Sequence, residues 1–107
     1  MRYFLDTEYN GWGGALLSLA LVPDDAEELY LTLDWTGTLE PWVEKNVLPY
    51  LDSVPESLVS PRMSRADAAR LVAHYLAGDP DPIIVADWPE DIAQFNALLV
   101  TGPGVMA

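Results

Sequence analysis

Apolar positions along the chain fall into short runs separated by glycine and proline breaks, the pattern of a mixed α/β domain. Residues 3–6 open with a compact apolar run, read as a buried strand. Residues 16–22 form a second run, long enough for a strand buried on both faces. Residues 28–33 alternate, with Leu29, Leu31 and Leu33 on one side and Tyr30 and Thr32 on the other, as a third strand does. Turn-forming residues separate the three: Gly11, Gly13 and Gly14 after the first, and Pro23-Asp24-Asp25 after the second. The reading is an antiparallel three-stranded meander.

Helical signals follow. Pro41 suits the first position of a helix running to about Leu48, where Pro49 ends it. Ser64 with Asp67 three residues on predicts a capped helix start, and Gly78 closes that helix after Ala77. Residues 83–86 are short and wholly apolar. Coming after two helices, they predict a crossover strand parallel to the first. Pro89 then opens a last helix whose apolar face carries Ile92, Phe95, Leu98 and Leu99, and Gly102-Pro103-Gly104 ends it. The predicted order is β-β-β-α-α-β-α, with no repeat or linker, and Trp35, Trp42 and Trp88 are expected to pack between elements.

The 107 residues suffice for one domain, and half of them are hydrophobic, so a packed core is expected. There is no cysteine and only one histidine, which confines any metal to oxygen ligands and favours Mg²⁺ or Mn²⁺ over zinc. His74 lies on the polar side of its helix and reads as a surface residue. No run reaches the ~20 apolar residues of a membrane span, and Asp6 interrupts the first apolar run well short of a signal-peptide core. A soluble cytoplasmic protein with no membrane partner is expected.

The net charge of −12, from 17 acidic against 5 basic residues, argues against phosphate binding by surface cations. Divalent metal on a carboxylate cluster would invert that local field. Asp6 and Glu8 are two apart on a strand, so they point the same way while Thr7 points opposite. Two carboxylates placed together repel unless a cation joins them. Asp91, in the first turn of the last helix and one turn from Phe95, is expected on the inner side, at the same sheet edge. Asp87 and Glu90 read as ordinary acids at a helix start. The glycine loop lacks the Gly-Lys-Ser/Thr of a phosphate-binding loop. Arg62, Arg65 and Arg70 are the only clustered basic residues, suited either to a substrate path or to pairing with Asp67.

Phe4-Leu5-Asp6-Thr7-Glu8 resembles the first motif of the DEDD superfamily of 3′–5′ exonucleases, and residues 85–95, from Val85 to Phe95, resemble its second, with Asp91 as the essential acid. With Tyr9-Asn10-Gly11-Trp12-Gly13-Gly14 and Thr101-Gly102-Pro103-Gly104, the chain is most similar to a bacterial subfamily of 3′–5′ exoribonuclease-like proteins. The resemblance implies a ribonuclease-H-like mixed sheet and two Mg²⁺ or Mn²⁺ ions about 4 Å apart. It implies that Asp6 bridges the ions, that Glu8 holds one and places water, and that Asp91 holds the other. Thr7, Tyr9, Asn10 and Trp12 are the expected substrate contacts, with Tyr9 and Trp12 suited to stacking. The implied substrate is the 3′ end of RNA or single-stranded DNA. The superfamily's third motif, with a general-base His or Tyr and a fourth Asp, has no counterpart after Asp91, so the implied domain is C-terminally incomplete. The alternative is an inactive nucleic-acid- or protein-binding remnant of the fold. Without a fifth strand, residues 83–86 would be an open apolar edge, suited to covering by a second copy.

Overall fold

The computed structural model describes residues 1–107. Strands β1 (Arg2–Tyr9), β2 (Leu16–Pro23) and β3 (Leu29–Thr32) form the expected antiparallel meander. Strand β4 (Ile83–Val85) pairs with β1 in parallel, Arg2 opposite Ile83 through Phe4 opposite Val85, and the sheet order is β3-β2-β1-β4. The fold is therefore α/β with a mixed sheet. Helices α1 (Pro41–Asn46) and α2 (Arg65–Leu76) lie between β3 and β4, and α3 (Pro89–Leu99) follows. No helix is long and apolar enough to cross a membrane.

The alternation of β1 decides what goes where. Tyr3, Leu5 and Thr7 are buried, while Arg2, Phe4, Asp6 and Glu8 are exposed on the other face. The buried set packs with Leu19, Leu21 and Leu31 against Ala68, Ala69 and Val72 of α2 and Phe95, Leu98 and Leu99 of α3. A register shift at Glu8/Tyr9 sets Leu16 opposite Tyr9 after Ser18 opposite Glu8. That extra residue turns the strand. Leu16 enters the main core and Leu17 a second one, with Leu39, Val43, Val47 and Leu51 under α1.

Local chemistry sets the helix ends. The Asp67 backbone N–H donates to Ser64 Oγ at 3.1 Å, so α2 begins on the predicted cap. Pro89 occupies the first turn of α3, with Glu90 and Asp91 favouring its N-terminal dipole.

The structure departs from expectation in four places. Strand β1 runs to Tyr9 rather than Asp6, because Thr7 is buried and Glu8 stays in register with Ser18. Helix α1 stops at Asn46, and Pro49 sits in a separate 3₁₀ turn, Leu48–Tyr50. The last segment forms a hairpin of strands β5 (Val100–Gly102) and β6 (Val105–Met106), its turn using Gly104 at φ +70°. Trp42 and Trp88 do not pack between elements: they are 67% and 59% exposed, since α1 buries only Val43 and Trp88 precedes the first turn of α3. Trp35 does pack, against the second core, with the Arg62 guanidinium 5.4 Å from its ring centre.

Candidate functional site

Strands β1 and β4 run parallel and point to the same end of the sheet, where sites in α/β folds concentrate, β4 stopping opposite Phe4 while β1 runs on to Tyr9. Residues leaving β4 turn directly into α3. Its first turn brings Asp91 back to β1, and Thr7 Oγ1 donates to Asp91 Oδ1 at 2.7 Å. Asp91 is 4% exposed, so this buried carboxylate is anchored by a strand residue 84 positions earlier. Thr7 is accordingly a positioning group on the inward side of β1. Asp6 and Glu8 project from the outward side of the same strand end.

These elements enclose a cleft of about 460 Å³. Asp6, Glu8, Glu40, Asp87 and Asp91 all line it, along with Tyr9, Trp42 and Trp88, and none of its lining residues is Lys, Arg or His. The field is felt by the acids themselves. Burial and the Asp91 charge, with a smaller push from Asp87, hold the Asp6 carboxyl above the usual carboxylate range against the Thr7 backbone hydrogen bond. Burial, then Asp6 and Asp91, raise Glu8 in the same way. Both side chains keep access to solvent, and the surrounding protein still penalises their charge. Asp6 and Glu8 also border a smaller cavity of about 200 Å³ on the outer sheet face, with Ser18, Tyr30 and Tyr50.

The donor set suits a hard dication: oxygen ligands only, several charges and no competing cation. In their present rotamers no three Asp, Glu or His side chains stand close enough to hold a metal ion. Asp91 is fixed by Thr7, so closing such a site would fall to the exposed side chains of Asp6 and Glu8, which rotate at little cost.

The glycine loop, residues 10–14, forms one wall. Gly11 and Gly13 take φ +75° and +71°, which only glycine adopts freely. A Cβ on Gly14 would lie 1.8 Å from the Asn10 carbonyl oxygen, so glycine is also needed there for close backbone approach. Asn10 ties the loop to the segment before α1: its Nδ2 donates to Thr38 O at 3.2 Å, and its Oδ1 accepts the Glu40 N–H at 2.8 Å. From the other side the Gly13 N–H donates to the Glu90 carboxylate at 3.0 Å, and Gln94 Nε2 donates to Gly14 O at 3.0 Å.

No protein-family model matches this chain, and no curated protein matches it. The site therefore has to be read from its own residues. Asp6, Thr7, Glu8, Tyr9 and Asp91 come together, and Trp88 Nε1 donates to the Tyr9 hydroxyl at 2.9 Å. Asn10 uses both polar ends of its side chain on the backbone of Thr38 and Glu40, ahead of α1. Trp12 lies on the far side of the loop, outside the carboxylate cleft. His74 is exposed on α2, away from the cleft. Two carboxylates were not legible as site residues. Glu40, just ahead of Pro41, gave no signal beyond a loop acid, and Asp87 read as a helix cap. The residue at the α3 cap is instead Trp88, which makes no side-chain capping bond.

Proposed function

We propose that this protein is a metal-dependent 3′–5′ exonuclease that hydrolyses phosphodiester bonds of RNA or single-stranded DNA on a ribonuclease-H-like sheet. One observation carries the reading. Asp6, Glu8 and Asp91, drawn from two ends of the chain, line one cleft that holds five carboxylates and no basic side chain. A cleft of that sign repels a phosphodiester on its own, and it becomes a phosphate site once dications bind. The resemblance of the sequences around Asp6 and Asp91 to the two exonuclease motifs agrees with this.

In this reading Asp6, Glu8 and Asp91 would hold two Mg²⁺ or Mn²⁺ ions, which would supply Lewis acidity toward water and a phosphodiester. The chain's own residues do the rest. Thr7 fixes Asp91 through the 2.7 Å bond, so one ligand is set in place before a metal arrives. Glu8, at the open end of β1, keeps access to solvent and would accept a hydrogen bond from the attacking water. Trp42 and Tyr9 give the cleft flat apolar walls against which a terminal base can stack.

The test is degradation of a 5′-labelled single-stranded RNA with Mn²⁺ present. The expected result is a ladder shortening from the 3′ end, absent in Asp6→Ala. A protein that binds RNA and metal but leaves the strand intact would favour the second reading, an inactive binding remnant. That alternative draws on a specific placement: the only histidine lies outside the cleft, so no imidazole is available there as a general base.

A further inference from the structure

A second cavity, of about 670 Å³, is larger than the carboxylate cleft. It lies on the other side of the glycine loop, lined by Trp12, by the first turns of α3 and by Arg65 at the start of α2. The two cavities share a wall. Gly11 and Trp88 face the cleft, and Gly13 and Pro89 face this groove.

Two side chains give the groove a specific chemistry. Trp12 is 93% exposed, which leaves a large apolar ring in water. It is not on a loose tether, because the bonds of Gly13 to Glu90 and of Gln94 to Gly14 fix the turn that carries it. Arg65 is the only one of the four arginines without a carboxylate partner. Arg2 pairs with Asp24, Arg62 with Asp52 and Arg70 with Asp67. In a chain with 17 acidic residues, a free guanidinium is the exception. The one acid in the groove, Glu90, is already engaged by the Gly13 N–H. An open indole and an unpaired guanidinium lining one largely apolar groove suit a base and its neighbouring phosphate.

We propose that this groove holds nucleotides on the 5′ side of a single strand whose 3′ end lies in the carboxylate cleft, with Trp12 stacking on a base and Arg65 contacting a phosphate. The proposal rests on the exonuclease reading for its direction. The shared wall supplies the continuity, since a strand leaving Asp6 and Asp91 over Gly11 enters the groove at Gly13. An unpaired strand is required, because Trp12 can stack only on a base whose face is open.

The test is fluorescence anisotropy with 5′-labelled single-stranded oligonucleotides of two and eight nucleotides, in Ca²⁺, at several salt concentrations. Wild type is compared with Trp12→Ala, Arg65→Ala and Asp6→Ala. The octamer should bind wild type more tightly than the dinucleotide. Trp12→Ala should lower octamer affinity about tenfold. Arg65→Ala should flatten its salt dependence by about 0.7 in log–log slope, one phosphate contact. Dinucleotide affinity should not move in either variant. Octamer affinity equal in wild type and Trp12→Ala, no gain of octamer over dinucleotide, or a preference for a duplex would each overturn the proposal. Asp6→Ala separates the two ideas. It removes metal binding if the cleft is a metal site, and it should leave the Trp12-dependent octamer gain in place; a metal-binding result unchanged by Asp6→Ala would sink the cleft reading alone.

Discussion

At the residue scale the decisive contact is the hydrogen bond from Thr7 to Asp91. A carboxylate buried to 4% exposure is tolerated only when paired. Thr7→Val keeps the shape and removes the donor, so it should destabilise the fold by about 1–3 kcal/mol, read as a lower urea midpoint with unchanged slope. Asp6 behaves in the opposite sense. Its folded carboxyl is raised above the unfolded value by burial and the Asp91 charge. A raised acid binds more protons folded than unfolded, so its ionisation destabilises the native state as pH climbs from about 4 through the raised value. Glu8 adds to the same window. Metal-free protein should therefore lose stability as pH rises through that window. Asp6→Asn should raise the metal-free melting temperature at pH 7 by about 2–4 °C. Thermal scans with and without the substitution check this; a lower melting temperature in Asp6→Asn would count against the repulsive cluster. The i, i+2 spacing of Asp6 and Glu8 and the helix-start position of Asp91 were legible in the sequence. Glu40 was not, because its place depends on Asn10 bonding thirty residues ahead.

At the scale of elements, periodicity carried most of the information. The period-two geometry of a strand separated Asp6 and Glu8 from Thr7 at the end of β1, and the Ser64 cap fixed the start of α2. The tryptophans were misjudged because hydrophobicity reports a preference for burial but not the area of the surface on offer, and a six-residue α1 buries only Val43. The β5–β6 hairpin was missed since Gly102-Pro103-Gly104 signals a stop and a tight turn equally well. β4 is the element with an open consequence. It bonds to β1 alone, and Ile83 is 49% exposed at the sheet edge, with Phe4 and Val22 partly exposed on the adjoining face. Such an edge invites another strand. We expect concentration-dependent association, strengthened by salt that screens the acidic surface and abolished by Ile83→Lys. Sedimentation velocity would read it, and a monomer at every concentration and salt level would argue that the edge is inert.

At the scale of the whole molecule, the question is how a chain of net charge −12 could handle a polyanion. Its basic residues are few, and three of its four arginines are tied to carboxylates. On the proposed reading, bound dications supply the attraction to phosphate that the single unpaired Arg65 cannot supply alone, and the cleft at the end of β1 gathers five carboxylates with no basic side chain. The sheet order β3-β2-β1-β4 places that cleft at a shared strand end, which the apolar runs and the crossover made legible in outline. The side-chain rotamers that would close around an ion were not legible, since they answer to the ion as much as to the chain. Mn²⁺ titrated calorimetrically into wild type beside Asp6→Ala tests this most directly. Saturable binding in the wild type that disappears in Asp6→Ala is the expected result. Equal heats in the two proteins, or no binding in either, would contradict a metal site built on Asp6, Glu8 and Asp91.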